Sequence, residues 1–364
     1  MSFIIALFIA ACTTGIALWA LHPVATRFGL IDRPAKHKIH EVNTPLIGGI
    51  AIFVGAVVAI SSTMVLTLEV RLYMLSGAVL VLLGIFDDKY DLSVRSRFVG
   101  HVLAASILVF GGHIYFQSLG NLFGLGDATL GMGGIAFTYL AIMASINAFN
   151  MIDGIDGLLG SQAAITFAGV AWLTYQAGAY EVHTVAVILL VCLLPFMVAN
   201  MGLMKPIKKV FMGDAGSMFI GISVVWLFIM ATQNQYYLPQ STTPAEPAIR
   251  AVTALWLVAI PVMDMVYVIW RRIWNGQNPV RSDQRHIHHL FRLVGYTHQK
   301  TVATMLVAGT VLAAIGIAGE QLLVPEWIML LAYLLAFLAY TKVVKLLKLR
   351  AGDAVHQPPP KVHL

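Results

Sequence analysis

Aspartate recurs in one kind of place in this sequence, at the margin of a long apolar run. LVLLGIFDDKYD ends such a run on Asp87, Asp88 and Asp91. NAFNMIDGIDG ends another on Asn150, Asp153 and Asp156, and KVFMGDAGS opens a third with Asp214. Carboxylates are hard oxygen donors suited to Mg²⁺ or Mn²⁺ and, through the ion, to a diphosphate. If the first stretch is helical, positions 87, 88 and 91 share a face by their i, i+3 and i+4 spacing. Acids at a helix C-terminus oppose the dipole by about 0.3–1 kcal/mol each, so a merely solvated helix end explains them poorly. Gly154 and Gly157 permit a tight turn in which two acids and an amide suit a ribose, a base or a metal. Capping of the next helix would account for one of those acids, not both. Asp214 could itself cap the helix it opens, but the company of the other acids favours a metal ligand. Phe211 suits stacking on a base or anchoring at the membrane interface.

A second kind of chemistry sits in RSDQRHIHH, which carries Asp283, Arg285, His286, His288 and His289. Arginine grips phosphate bidentately and histidine changes charge near neutral pH. H-x-H-H is also a zinc-like pattern, but neither cysteine lies near it. Arg95, Arg97, Arg271 and Arg272 are ambiguous, because topology alone could account for them.

The elements that must hold these residues are membrane helices. Of 364 residues, 59% are hydrophobic and 11% charged, with a mean hydropathy of +0.82. A soluble domain carries about 25% charged residues. A spanning helix needs roughly 20 predominantly apolar residues. Eleven stretches qualify, near 3–22, 45–67, 72–86, 98–116, 130–149, 158–176, 182–203, 216–232, 251–270, 301–319 and 326–347; a short third stretch and a glycine-blurred fifth make ten the other count. Cys12 and Cys192 fall inside spans as small apolar side chains, and no basic residue precedes the first span as a signal peptide would require. With eleven spans, 21 of the 23 Lys and Arg lie on one side and only Arg71 and Arg250 on the other. The positive-inside rule makes the rich side cytoplasmic, with the N-terminus periplasmic and the C-terminus cytoplasmic. All but two aspartates are in cytoplasmic segments, which that rule does not predict; Asp264 lies within the ninth span and Asp127 is outside.

The expected fold is therefore an all-α polytopic integral membrane protein. Residues 1–347 form one transmembrane catalytic domain with cytoplasmic loops 23–44, 87–97, 150–157, 204–215 and 271–300, and 348–364 form a disordered cytoplasmic tail. Gly-Lys never occurs, which excludes a P-loop, and G-x-S-x-G is absent. The net charge of +6 follows from topology, and nucleic acid is not an expected partner.

FDDKYD, NAFNMIDGIDGLLG, KVFMGDAGS and DQRHIHH, in this order over nearly the whole chain, resemble the polyprenyl-phosphate N-acetylhexosamine-1-phosphate transferases, the superfamily that includes MraY. AIPVMDM and VPEWIML look like the branch that transfers GlcNAc-1-phosphate from UDP-GlcNAc to undecaprenyl phosphate and releases UMP. The resemblance implies Mg²⁺ or Mn²⁺ as cofactor, the cytoplasmic face of the bacterial inner membrane as location, and the first step of an O-antigen or enterobacterial-common-antigen type glycan as the role. Its partners would be UDP-GlcNAc, undecaprenyl phosphate, the bilayer and, in a homodimer, a second copy. By the same resemblance Asp214 is the principal metal ligand, with Asp87 and Asp88 beside it. Asp87 sits at the prenyl phosphate as a base, and His288 belongs to the catalytic set. Arg97, Asn150, Asp153, Asp156, Phe211, Arg272, Asp283, Arg285, His286 and His289 line the nucleotide and sugar site. The order Gln284-Arg285 is swapped relative to the family's Asp-Arg-Gln-His. Another UDP-N-acetylhexosamine would fit the same chemistry. An intramembrane prenyltransferase would leave the histidines unexplained, and an ion-coupled transporter would need more charges within the spans.

Overall fold

The computed structural model describes residues 3–32, 43–203, 209–233, 247–277 and 286–355, with side chains as far as 352. It is a bundle of helices: α1 (Phe3–Phe28), α2 (Gly48–Thr63), α3 (Leu68–Tyr90), α4 (Val94–Gly112), α5 (Gly133–Ile152), α6 (Leu158–Gln176), α7 (Tyr180–Asn200), α8 (Gly213–Thr232), α9 (Ala251–Leu257), α10 (Ala259–Trp274), α11 (Ile287–Leu293), α12 (His298–Gln321) and α13 (Glu326–Val355). Two short strands, β1 (Ile31–Asp32) and β2 (Thr44–Pro45), pair antiparallel. All eleven apolar stretches fall on helices. Among the described residues eight helices are long and apolar enough to cross a membrane, and α9 with α10 makes a ninth if the bent pair is one span. At 16 residues, α2 is shorter than a full span.

The centre of the bundle is α8, in which every residue except Asp214 and Met230 is buried. A helix apolar on all sides must be surrounded, and α2, α3, α5 and α6 surround this one. Its first turn is gripped closely. A Cβ on Gly49 would overlap the Gly216 backbone, and one on Gly84 would overlap Ala215. Small residues let helix backbones approach in this way where lipid supplies no hydrophobic drive between helices.

Four boundaries differ from those expected. The 87–97 loop is reduced to the turn 91–93, because α3 stays helical to Tyr90 and Ser93 caps α4 by accepting from the Ser96 amide. The ninth span is not straight, since α9 and α10 meet at 84°. Pro261 is the cause: it cannot donate to the Leu257 carbonyl four residues back, and its ring clashes there. The freed carbonyl accepts from Thr166 Oγ1 at 2.9 Å. The 271–300 segment contains a short helix, α11. The tail begins as helix, with α13 continuing past 347 to Val355.

Candidate functional site

Segments assigned to the cytoplasmic side from the sequence converge at one end of the bundle, around the N-terminus of α8. The 211–212 carbonyls accept from the first amides of α2, Gly48 (2.9 Å) and Gly49 (3.0 Å), which have no partner within their own helix. Phe211 in turn donates its amide to Pro45 O at 2.9 Å. These bonds place the F-M-G-D turn, and Gly213 supplies the positive φ of 72° that points the chain into α8.

Asp88 completes the junction from α3. Its Oδ1 accepts from the Asp214 amide at 2.9 Å and its Oδ2 from the Ala215 amide at 3.4 Å. It thus caps α8 from another helix, with its oxygens at the positive end of the dipole. Asp87 is on a different face. Its side chain is wholly inaccessible to solvent, Oδ1 accepts from the Leu92 amide at 2.9 Å, and Oδ2 pairs with Arg97 Nε at 2.8 Å. Asp91 stops the helix in the left-handed region (φ 49°) and its side chain is 98% exposed. The three acids therefore do not present one common face as expected. The left-handed cap, a conformation aspartate tolerates better than most residues, turns Asp91 out of the helical register. Arg97, expected at the nucleotide, holds Asp87 and also reaches Asp91 at 3.1 Å.

Asp214 receives Asn150 Nδ2 on Oδ1 at 2.5 Å, and the same amide reaches Ser217 Oγ at 3.1 Å. The carboxyl groups of Asp87 and Asp214 are close enough to interact electrostatically. Two neighbouring carboxylates favour a shared proton or a cation between them. Asp153 follows α5 and faces the same charge. Its side chain is exposed to solvent. Desolvation, then the charges of Asp214 and Asp156, push its carboxyl above the usual carboxylate range. No group of three or more His, Cys, Asp or Glu side chains converges as a ready metal cage among the described residues. Mg²⁺ is commonly held by one or two carboxylates together with water and substrate phosphates. Asp214 and Asp153 fit that part. Of the three expected metal ligands, Asp88 is engaged on α8 and Asp87 is sealed beneath Arg97.

Asp156 pairs with Lys209 Nζ at 2.5 Å, and that ammonium lies 5.1 Å from the centre of the Phe211 ring. Asn200 stitches the two loops together, accepting from the Gly157 amide at 2.6 Å and donating to Val210 O at 2.9 Å.

The histidine segment covers the 150–157 loop. A Cβ on Gly154 would collide with His288 Nε2. His288 is fully buried, with neither ring nitrogen hydrogen-bonded among the described residues. Burial, then the neighbouring His289, push its pKa down to about 3, so it stands neutral. His289 adjoins it with ring centres 4.1 Å apart. Arg272 is buried on the last turn of α10. Asp283 and Arg285 lie outside the described residues.

Comparison with known proteins identifies the family. Residues 70–232 match glycosyl transferase family 4. A protein of Yersinia pestis is 39% identical over 90% of this chain and 87% of its own length. One of Escherichia coli K12 is 37% identical over 91% and 88%. The chain belongs to glycosyl transferase family 4. Both relatives, and one of Haemophilus influenzae at 36% identity over 92% of each chain, are undecaprenyl-phosphate α-N-acetylglucosaminyl 1-phosphate transferases.

Within this family 4 transferase, three residues that the sequence left unassigned stand at or beside the candidate site. Lys209 belongs to the KVFMGDAGS motif, but its charge was absorbed by the positive-inside count. Asn200 ends an apolar run with nothing to mark its two bonds. Asp264, noted only as an acid within a span, holds His286, and an intramembrane acid is the kind of signal that could have found it.

Proposed function

We propose that this protein transfers GlcNAc-1-phosphate from UDP-GlcNAc to undecaprenyl phosphate, giving undecaprenyl-diphosphate-GlcNAc and UMP. The reaction takes place at the cytoplasmic face of the bacterial inner membrane, as the first step of an O-antigen or enterobacterial-common-antigen type glycan. The observation that carries the reading is the junction of Asp87, Asp214, Asn150 and Asp153 at a helix N-terminus, where carboxyl groups are concentrated and Asp153 is exposed among the described residues. The names of the relatives supply the lipid acceptor and the sugar phosphate.

The lipid phosphate oxygen attacks the β-phosphorus of the sugar nucleotide in line; the bond from that phosphorus to the UMP oxygen breaks, and UMP leaves with the electron pair. Mg²⁺ or Mn²⁺ held by Asp214 and Asp153 would neutralise charge on the diphosphate. Asn150 fixes the Asp214 carboxylate, and Asp88 fixes the backbone beneath it. Lys209 and Phe211 border the open side next to Asp156, where an anionic nucleotide and its base would find a cation and a ring. A covalent route through Asp87 is disfavoured, because that side chain has no access to solvent and is ion-paired with Arg97. A dianionic phosphate needs no strong base, so Asp87 is better read as a support for Asp214.

The test uses purified protein, Mg²⁺ and undecaprenyl phosphate, with UDP-GlcNAc and UDP-GalNAc offered separately. UMP and a lipid-diphosphate-GlcNAc product support the reading, and chelation by EDTA should abolish both. A product with UDP-GalNAc alone would replace the donor, and release of UDP would overturn the reaction class.

A further inference from the structure

Asp264 lies within α10, 1% exposed, in a helix whose buried side chains are otherwise apolar or aromatic except for Arg272 in its last turn. A carboxylate taken from water at such a site is costly unless its oxygens are satisfied. Three donors from two other parts of the chain satisfy them. His286 Nδ1 lies 2.7 Å from Oδ2, and Oδ1 accepts from the Ile287 amide (3.1 Å) and the Tyr340 hydroxyl (2.6 Å). His286 and Ile287 begin α11, and Tyr340 belongs to α13.

We propose that Asp264 is a positioning residue for the transfer reaction, which orients His286 and fixes its tautomer while tying the histidine segment to α10 and α13. An ionised carboxylate can only accept, so the bonded Nδ1 carries the proton, and Nε2 is left as the nitrogen able to take or give one. The amide of Ile287, an orphan donor at the start of α11, is satisfied by the same group. The consequence reaches the acid junction by contact. The His286 ring stacks on His288, 5.9 Å apart and 6° from parallel, and His288 abuts Gly154 in the loop that carries Asp153 and Asp156. Tyr340 extends this support to the last helix, far from the acids in sequence.

The proposal rests on the transferase reading, and the experiment separates the two. Full-length enzyme is assayed with UDP-GlcNAc and undecaprenyl phosphate. Asp264→Asn keeps size and can still accept from Ile287 and Tyr340, but it turns an NH₂ toward Nδ1 and so reverses the tautomer. A kcat lower by about 10–100-fold is expected, the range for removing a carboxylate behind a functional histidine, with KM for UDP-GlcNAc unchanged. His286→Asn retains an amide donor in the place of Nδ1 and loses Nε2. The double variant should be no slower than His286→Asn alone, because Asp264 acts through that ring. Additive losses, or a folded Asp264→Asn enzyme with wild-type kcat, would overturn the proposal. Should Asp264→Asn fail to fold, ¹⁵N-histidine NMR of the wild type, with His286 assigned by its loss in His286→Asn, decides the matter. A proton on Nδ1 is expected, and a bare Nδ1 overturns the assignment. A wild-type enzyme that makes no lipid product would sink the transferase reading instead, and the tautomer measurement would still stand.

Discussion

The two ends of the bundle use the same materials in opposite ways. At the end away from the acids Arg250 pairs with Glu320 at 3.1 Å and donates to Val324 O at 2.6 Å and Gly319 O at 2.8 Å, which caps the end of α12. Thr253 adds a hydroxyl to Glu320, and Glu326 accepts from the Asn121 amide at 2.9 Å. Nearby, Gln233 closes the 113–132 loop by accepting from the amides of Gln117 and Ser118, each at 3.0 Å. Apart from one oxygen of Glu326, this network is satisfied and its central charges are matched. At the end that gathers the acids Asp87 and Asp214 are neighbours, Asp153 adds a third carboxyl group, and among the described residues His288 has neither ring nitrogen hydrogen-bonded. Arg97 and Lys209 lie to the sides, on Asp87 and Asp156. The closed network holds helices together, whereas the open one spends stability to hold charge where a diphosphate and its cation can use it.

The sharpest way to break this contrast is Asp214→Asn. If Asp214 holds the metal as proposed, its loss should remove several kcal/mol of charge stabilisation, a fall of about 10³-fold in kcat. Thermal stability without divalent cation should hold or rise, because the like-charge contact with Asp87 is gone. UMP release and a melting curve on the same sample give both readings. A variant that melts early yet keeps its kcat would make this acid structural and erase the distinction between the ends.

Arg250→Met is the mirror experiment. The ion pair is mostly buried, with side-chain exposures of 17% and 15%, and removing one partner leaves Glu320 charged and two carbonyls unmet. A loss of about 2–4 kcal/mol in stability is expected, seen as a lower midpoint in thermal or denaturant unfolding. The enzyme that remains folded should keep wild-type kcat. A fall in kcat at full stability would mean that the Arg250 network is coupled to the site.

Much of this contrast was legible in the sequence, and the reason is physical. Spans show as unbroken apolar runs because lipid leaves few alternatives, and every expected run is helical. The acids stood out because aspartate at those margins has no topological purpose. What could not be read was which of them meet. The bond from Asp88 to the Asp214 amide joins residues 126 apart, and Asp87 and Asp88 are neighbours whose roles diverge by one helical step. Lys209 was hidden because a general rule already accounted for its charge. The break at Pro261 was visible in AIPVMDM, yet a hydropathy window averages over a proline. The network at the other end was also invisible, since Arg250 and Glu320 look like ordinary loop charges until the fold sets them together.

Asp88 tests how far support and chemistry separate within the open end. As the cap of α8 it should contribute about 1 kcal/mol to stability. Asp88→Asn keeps one acceptor for the Asp214 amide, so it should retain more activity than either Asp88→Ala or Asp214→Asn. Its Mn²⁺ affinity, measured by EPR with no substrate present, should stay near wild type. A loss of Mn²⁺ equal to that of Asp214→Asn would return Asp88 to the metal's own ligands.

The smallest expected effect asks whether the open end is truly under electrostatic strain. Burial and the charges of Asp214 and Asp156 hold the Asp153 carboxyl above its ordinary range. The folded protein then keeps this proton at a pH where the unfolded chain has released it. Ionisation therefore penalises the folded state as pH rises through the raised value, and stability returns as pH falls. Asp153→Asn removes that penalty. Without divalent cation it should melt above wild type at roughly pH 8, with the gap closing toward roughly pH 5. Added Mg²⁺ should close the gap from the other side, by stabilising wild type more than the variant. Identical melting curves at every pH would show that solvent at the exposed face of Asp153 already screens its neighbours. The charge contrast between the two ends would then rest on the Asp87–Asp214 contact alone.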